Sequence, residues 1–477
     1  MNESHLSIER VARFIAWLAV FLIPVRILGL GYLPPDDALR HAAKAVTNRT
    51  WQDILVMRPE VVVDSHPGWH AFLGVFHRLF DAHPADLVFV SVIVLFAALL
   101  GSALASSKTH AWALATLVVI VCDSNTQLRW LLGRPFLLSC AVVLILCLRW
   151  SRGVLPRVVD VPWMVAMFTL VVWFHPSYYL WSLPVAALII SGWRREAIIL
   201  GGSVAVGTLA ASLLTGSPFA FLKQNLMHPV WSFDWPIAQL VTEFQPAPGA
   251  PILFAAVLAV FLSGRATRPG VRASDPVFVL AFLCWGLGFV SARFWLDWGL
   301  PATLAWGIRV AEDALSDLPE DLAGKLAIAV TFACALTLCA DDTSRWSRVD
   351  TTYRTLADPA QAGALPDPGG VLYSDDHSVF YQVFFRKPDA PFRYVLGFEK
   401  GLMRPEDGMA LRNFSSRQEG FALWAARMTP ADRLIVHVAN PGTVYGLEWT
   451  HVAGDLWSGR TPRSLLQTAP AREPKTP

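Results

Sequence analysis

The sequence predicts an α-helical polytopic membrane protein of about eleven spans, followed by a small C-terminal α/β domain. Apolar runs follow one another from Ile8 to Ala340. Short polar clusters between the runs alternate in character, Lys and Arg in one set of connections, Asp, Glu and His in the other. From Asp341 onward the runs shorten into strand-like and helix-like pieces. With 54% hydrophobic and 16% charged residues, the chain lies outside the soluble range, where charged residues average about 25%.

Spans are expected near 10–31, 84–105, 109–123, 134–149, 158–174, 176–192, 195–215, 249–263, 275–292, 294–310 and 324–340, because about 20 apolar residues cross a hydrocarbon core. The first run lacks a small-residue cleavage site and reads as an uncleaved span. Pro176 breaks the chain between the fifth and sixth spans. With a cytoplasmic N-terminus, the internal connections contain Lys108, Arg149, Arg152, Arg157, Arg194, Arg195, Arg265, Arg268, Arg272 and Lys325. That bias is the positive-inside pattern. Tryptophans gather near run ends (Trp51, Trp130, Trp150, Trp193, Trp231, Trp235), as in interfacial belts. All six cysteines lie in or beside apolar runs without zinc-type spacing, so no disulfide framework is read. A net charge of +2 with no long basic run argues against nucleic-acid binding.

The first outer loop (32–83) reads as two helices, one from Asp36 to about Asn48 and one from Pro67 to Phe80, with Asp64 or Ser65 as its cap. In the second, Trp69, Phe72, Leu73, Phe76, Leu79 and Phe80 recur at helical spacing and suit a membrane surface. Pro218–Phe244 has the same amphipathic character. In the 341–477 domain, Val371–Tyr373, Phe392–Leu396 and Leu434–Val438 are strand-like, while Ser378–Phe385 and Arg417–Met428 are helix-like. Residues 466–477 have a disordered composition.

The candidate chemistry lies on the face opposite the basic turns. Asp36-Asp37 suits general-base work or a divalent cation, and equally suits a helix start. Asp64, His66 and His70 can hold a metal, orient a substrate or meet a phosphate, or simply cap an interfacial helix. Arg134 and Arg293 stand at outer span ends, where a guanidinium clamps a lipid-linked phosphate or snorkels. Asp297, four residues after Arg293, is placed to pair with it. His175, His228, Asp234 and Glu243 add polar groups to the same face, whereas Ser374-Asp375-Asp376-His377 reads as structural. Asn48-Arg49-Thr50 and Asn413-Phe414-Ser415 match the glycosylation pattern. No Gly-rich phosphate loop, nucleophile elbow or zinc-hydrolase motif occurs.

Pro35-Asp36-Asp37-Ala38 just after the first span, Asp64-Ser65-His66-Pro67 later in the same loop, and Arg293-Phe294 leading to Pro301 together resemble the GT-C superfamily of integral-membrane glycosyltransferases. That group includes protein O-mannosyltransferases and aminoarabinose transferases. The resemblance implies a polyprenyl-phosphate sugar donor, an acceptor of unknown class, a first-loop Asp as base or electrostatic partner, and an extracytoplasmic C-terminal domain. Asp234 or Glu243 would fill the later acidic position, and the use of a divalent cation stays open. The richness in Ala, Arg and Val suggests a bacterial inner membrane with a periplasmic site. The alternative is a multi-pass transporter or lipid flippase, which would carry its polar groups near mid-membrane. A membrane scaffold gives no reason for acids, histidines and arginines to share a side.

Overall fold

The computed structural model describes residues 8–29, 33–123, 129–232, 274–339, 363–412, 417–442 and 444–462, with a few positions between them. The expected span at 249–263 lies largely outside these residues, as do Asp234, Glu243 and the C-terminal end.

The apolar runs fold as helices. They are α1 (Ile8–Gly29), α2 (Asp37–Val46), α3 (Trp51–Ile54) and α4 (Pro67–Phe80). Next come α5 (Pro84–Ala105), α6 (Thr109–Cys122), α7 (Phe136–Ser151) and α8 (Val161–Phe174). Then follow α9 (Ser182–Ile190), α10 (Arg194–Leu213), α11 (Pro218–Ser232) and α12 (Pro276–Gly288). The helix α13 (292–314) contains a π-helical stretch at Trp295–Gly299, and α14 (Glu320–Cys339) closes the bundle. Three of these, α5, α10 and α14, are long and apolar enough to cross a membrane. Others, α6, α7 and α12 among them, are shorter apolar helices. Their flanks leave large apolar side chains exposed, among them Phe14, Val121, Ile198, Leu213, Phe282 and Leu336, a surface that suits lipid rather than water.

Helix α1 packs on α14, α14 on α6, and α13 on both α6 and α7, while α8 packs on α10. The basic turns meet acids at one end of the bundle. Arg152 bonds Glu312 at 2.8 Å, the Lys108 amide donates to the same carboxylate at 3.1 Å, and Arg149 pairs with Asp160 at 3.4 Å. The chain breaks between α8 and α9 at His175-Pro176, as expected: His175 caps α8 in an extended conformation, and Tyr178–Trp181 form a 3₁₀ turn.

Two details of the first loop differ from expectation. Neither Asp64 nor Ser65 is the N-cap of α4; His66 holds that position without a side-chain bond. Asp64 is instead drawn inward by His70, a stronger partner than an exposed amide. Helix α4 also buries Trp69 and Leu73 while Leu79 and Phe80 stay exposed, so its apolar residues divide between the core and the surface. From α11, Gln224 clamps the approach to this segment: it accepts from the amides of Val62 and Val63 and donates to Val63 O and Ser65 Oγ.

The tail forms a five-stranded sheet of β1 (Val371–Ser374), β2 (Arg393–Tyr394), β3 (Arg433–His437), β4 (Glu448–Ala453) and β5 (Leu456–Arg460), in the order β2-β1-β3-β5-β4. The pairings β1–β2 and β1–β3 are parallel; β3–β5 and β4–β5 are antiparallel. Helix α15 (His377–Arg386) connects β1 to β2, and α16 (Pro405–Arg412) and α17 (Arg417–Ala425) precede β3. The β2 edge is covered by the first loop, where the Val56 amide donates to Tyr394 O at 2.8 Å and Leu55 bridges Tyr394. Covering an edge this way satisfies its backbone groups.

Helices approach closely at Gly207 on α10, where a Cβ would stand 2.6 Å from Phe168 Cβ and 3.0 Å from Val165 O on α8. Small residues permit such contacts between packed helices. Gly207→Val is expected to cost about 1–3 kcal/mol by overpacking, read as a lower midpoint of thermal unfolding in detergent. Gly202→Val, with open space around it, is expected to leave the midpoint near that of the parent.

Candidate functional site

At the other end of the bundle, opposite the Glu312 cluster, the start of α2, the start of α7, the end of α8 and the start of α13 converge on one cavity. Its volume is about 70 Å³, room for several waters or a compact polar group. Asp37, Arg40, His41, His66, Arg129, Arg134, His175, Asn225, His228, Arg293, Asp297 and Glu399 are among its lining residues. The tail supplies Glu399, and from α15 it sends the Tyr381 hydroxyl to Asp37 at 3.2 Å.

The acidic pair separates into two roles. Asp36 caps α2, its carboxylate accepting from the Asp37 amide at 2.6 Å. It also receives both Nε (3.1 Å) and Nη2 of Arg134, a fork-on-carboxylate geometry. Asp37 faces the cavity, accepts Arg40 Nε at 2.5 Å, and lies 3.6 Å from Arg134 Nε. The guanidinium of Arg134 is therefore a tie between the α7 start and the α2 start. Arg40 stacks over the Phe398 ring at 4.0 Å, which fixes its plane.

Asp297, carried on the π-helical stretch of α13, accepts Arg129 Nη2 at 2.7 Å and Nε at 3.1 Å. A π-helical insertion re-aims side chains and recurs at functional sites. Arg129, which the sequence reading did not pair with Asp297, is a bonded cation of this carboxylate. Arg293 lines the cavity; together with His228, which stands 3.8 Å from Glu399, it holds the Glu399 carboxyl below its usual range although burial pushes the other way.

A line of imidazoles runs from the cavity wall into the protein. Asp64 Oδ2 is 2.5 Å from His70 Nδ1, and His70 Nε2 is 2.8 Å from His41 Nδ1. The His66 ring stands edge-on to His41 with centroids 4.9 Å apart, and His175 lies 5.8 Å from His66. Burial, helped by the positive charge of Arg40, pushes His41 and His66 well below the ordinary imidazole value; burial lowers His70 too, against the pull of Asp64. Burial alone would raise Asp64, yet His70 and His66, the latter through its amide as well as its ring, together hold the carboxyl well below its usual range.

Of the residues singled out from sequence, Asp37, His66, Arg134, His175, Arg293 and His228 line the cavity, while Asp36, Asp64 and His70 brace its wall from behind. Asp375-Asp376-His377 lies elsewhere: Asp376 caps α15, and His377 meets Gly397 O at 2.7 Å. Sequence reasoning missed Arg40, His41, Arg129, Tyr381 and Glu399. Asp37, Arg40, His41 and Lys44 recur at three- and four-residue spacing, a polar stripe on α2 that was there to be read. Arg129, Tyr381 and Glu399 carry no such signal. Among the described residues, no three His, Cys, Asp or Glu side chains are grouped to hold a metal ion.

No protein-family model matches this chain, and no curated protein matches it.

The neutral imidazoles make a definite demand on pH. Their folded-state pKa values lie below the ordinary 6.5, so the unfolded chain binds protons first as pH falls. The stability they contribute is complete above 6.5 and is lost on acidification, at up to about 1.4 kcal/mol per pH unit for each ring. The thermal midpoint in detergent is expected to drop between about pH 7 and 5, with a shallower slope in the His66→Gln variant.

Proposed function

We propose that the protein is a GT-C-like membrane glycosyltransferase that moves a sugar from a polyprenyl-phosphate donor to an acceptor hydroxyl at the extracytoplasmic surface. One observation carries the proposal: a single cavity joins Asp37 to the guanidinium groups of Arg40, Arg129, Arg134 and Arg293, drawn from three separate stretches of chain. Such a cavity suits a phosphate held beside an electron-poor sugar carbon. Its place at helix ends, rather than halfway along them, favours surface chemistry over a transport path.

In this proposal about eleven helices cross the bilayer, the N-terminus is cytoplasmic, and the cavity and tail face the periplasm of a bacterial inner membrane. The donor's phosphodiester enters from the lipid side. Arg293 meets the phosphate, whose charge rises from one to two as the bond from anomeric carbon to phosphate oxygen breaks. Asp37, steadied by Arg40 and Tyr381, steers the acceptor hydroxyl and offsets positive charge developing on the sugar. The new glycosidic bond forms as the hydroxyl proton leaves. No covalent sugar–protein bond is required.

Membranes containing the protein are to be supplied with labelled polyprenyl-phosphate sugars and an acceptor extract. Asp37→Asn is expected to slow transfer about 100-fold or more. Arg293→Ala is expected to weaken donor use about tenfold, mainly through KM. Undiminished transfer in both variants overturns the assigned roles. Label that crosses the membrane chemically unchanged points instead to a transporter or flippase.

A further inference from the structure

The carboxylate of Asp64 lies outside the cavity, yet three donors converge on it: His70 Nδ1 at 2.5 Å, Trp51 Nε1 at 3.2 Å and the His66 amide at 3.0 Å. An ionised carboxylate only accepts, so His70 must carry its proton on Nδ1. In a neutral ring that leaves His70 Nε2 as an acceptor. The 2.8 Å contact then requires a proton on His41 Nδ1, which leaves the lone pair of His41 on Nε2. That nitrogen is buried and has no hydrogen-bond partner among the described residues, while His41 itself lines the cavity. A buried, unpartnered acceptor costs about 1–3 kcal/mol, so a site that keeps one has a donor to meet.

We propose that Asp64, His70 and His41 form a proton relay that presents His41 Nε2 to the cavity as the proton acceptor for a bound hydroxyl. The inference rests on the transferase reading for the identity of that hydroxyl, the acceptor's. As the acceptor oxygen attacks the anomeric carbon, its proton passes to His41 Nε2. The proton on His41 Nδ1 moves to His70 Nε2, so the charge settles on the His70 imidazolium against the ionised carboxylate of Asp64. His41 ends neutral with its proton on Nε2, and the electron pair of the broken bond leaves with the phosphate. The positive charge does not stay on His41 beside Arg40, His66 and His175, the charged or titratable groups that face it besides His70. Asp64 retains 24% side-chain exposure, so the proton has an exit to solvent. Asp37 is less suited to the task, because Arg40 and Tyr381 already bond its Oδ1. His41 is the group that meets the substrate; His70 and Asp64 are positioning residues.

The test has two arms on the full-length protein in lipid nanodiscs. Nitrogen-15 histidine NMR, with His41→Gln used to assign the signal by difference, is expected to show His41 protonated on Nδ1 and bare on Nε2 at neutral pH. Asp64→Asn is expected to mix the two tautomers. A wild-type His41 protonated on Nε2 overturns the relay. In the transfer assay with labelled polyprenyl-phosphate sugar, His41→Gln is expected to lower turnover about 100-fold at unchanged donor KM. Asp64→Asn is expected to lower it about tenfold and to shift the pH profile. Transfer by His41→Gln at the parental rate overturns the relay and leaves the transferase reading standing. The NMR signature in a wild-type protein that transfers no sugar overturns the transferase reading and leaves the relay.

Discussion

The bidentate contact between Arg134 and Asp36 governs the shape of this site. It joins the start of α7 to the start of α2, 98 residues apart in sequence. Two charges at this depth are tolerable only as a well-made pair. Once Asp36 is fixed, the next residue projects Asp37 into the cavity, and Arg40 one turn later meets it from the same helix. His41 follows with its ring against His70. A single ion pair therefore sets the register of three functional side chains on α2.

The first loop is held from both sides. Beneath it, α4 buries Trp69 and Leu73 in the core, and α2 packs on α4 and α5. Above it, the tail binds through Arg49 to the carbonyl of Phe392, through Thr47 to Asp389, and through the backbone of Val56 and Arg58. The tail is thereby part of the site's wall rather than an appendage. Its α15 packs against α2, with Tyr381 over Asp37, and the turn after β2 brings Glu399 to His228.

Much of the helical layout was legible in the sequence because apolar runs bounded by Pro, charge or Trp leave few alternatives. The helix expected at 84–105 appears at Pro84–Ala105, and Pro67–Phe80 appears as read. Three helices meet the length and hydropathy needed to cross a membrane; the larger number of crossings belongs to the functional proposal. Strands β4 and β5 went unread because their residues mix Trp and Thr with Glu, His, Gly and Arg in short stretches. The site was legible only in its first-loop half. Asp37 and His66 announce themselves by local context, whereas Arg129, Tyr381 and Glu399 acquire meaning only through contacts that span up to 344 positions, as Tyr381 does with Asp37. The role of Asp64 could not be read either, since a cap and a buried acceptor share the same local sequence.

The most direct test is a double-mutant cycle on Asp36→Asn and Arg134→Gln, with unfolding measured in detergent. If their contact fixes the site, each single change costs about 3 kcal/mol by stranding its partner, and the double variant is no less stable than the worse single. Costs that simply add would show the two side chains to be independent, and the cavity would have to be held open by something else.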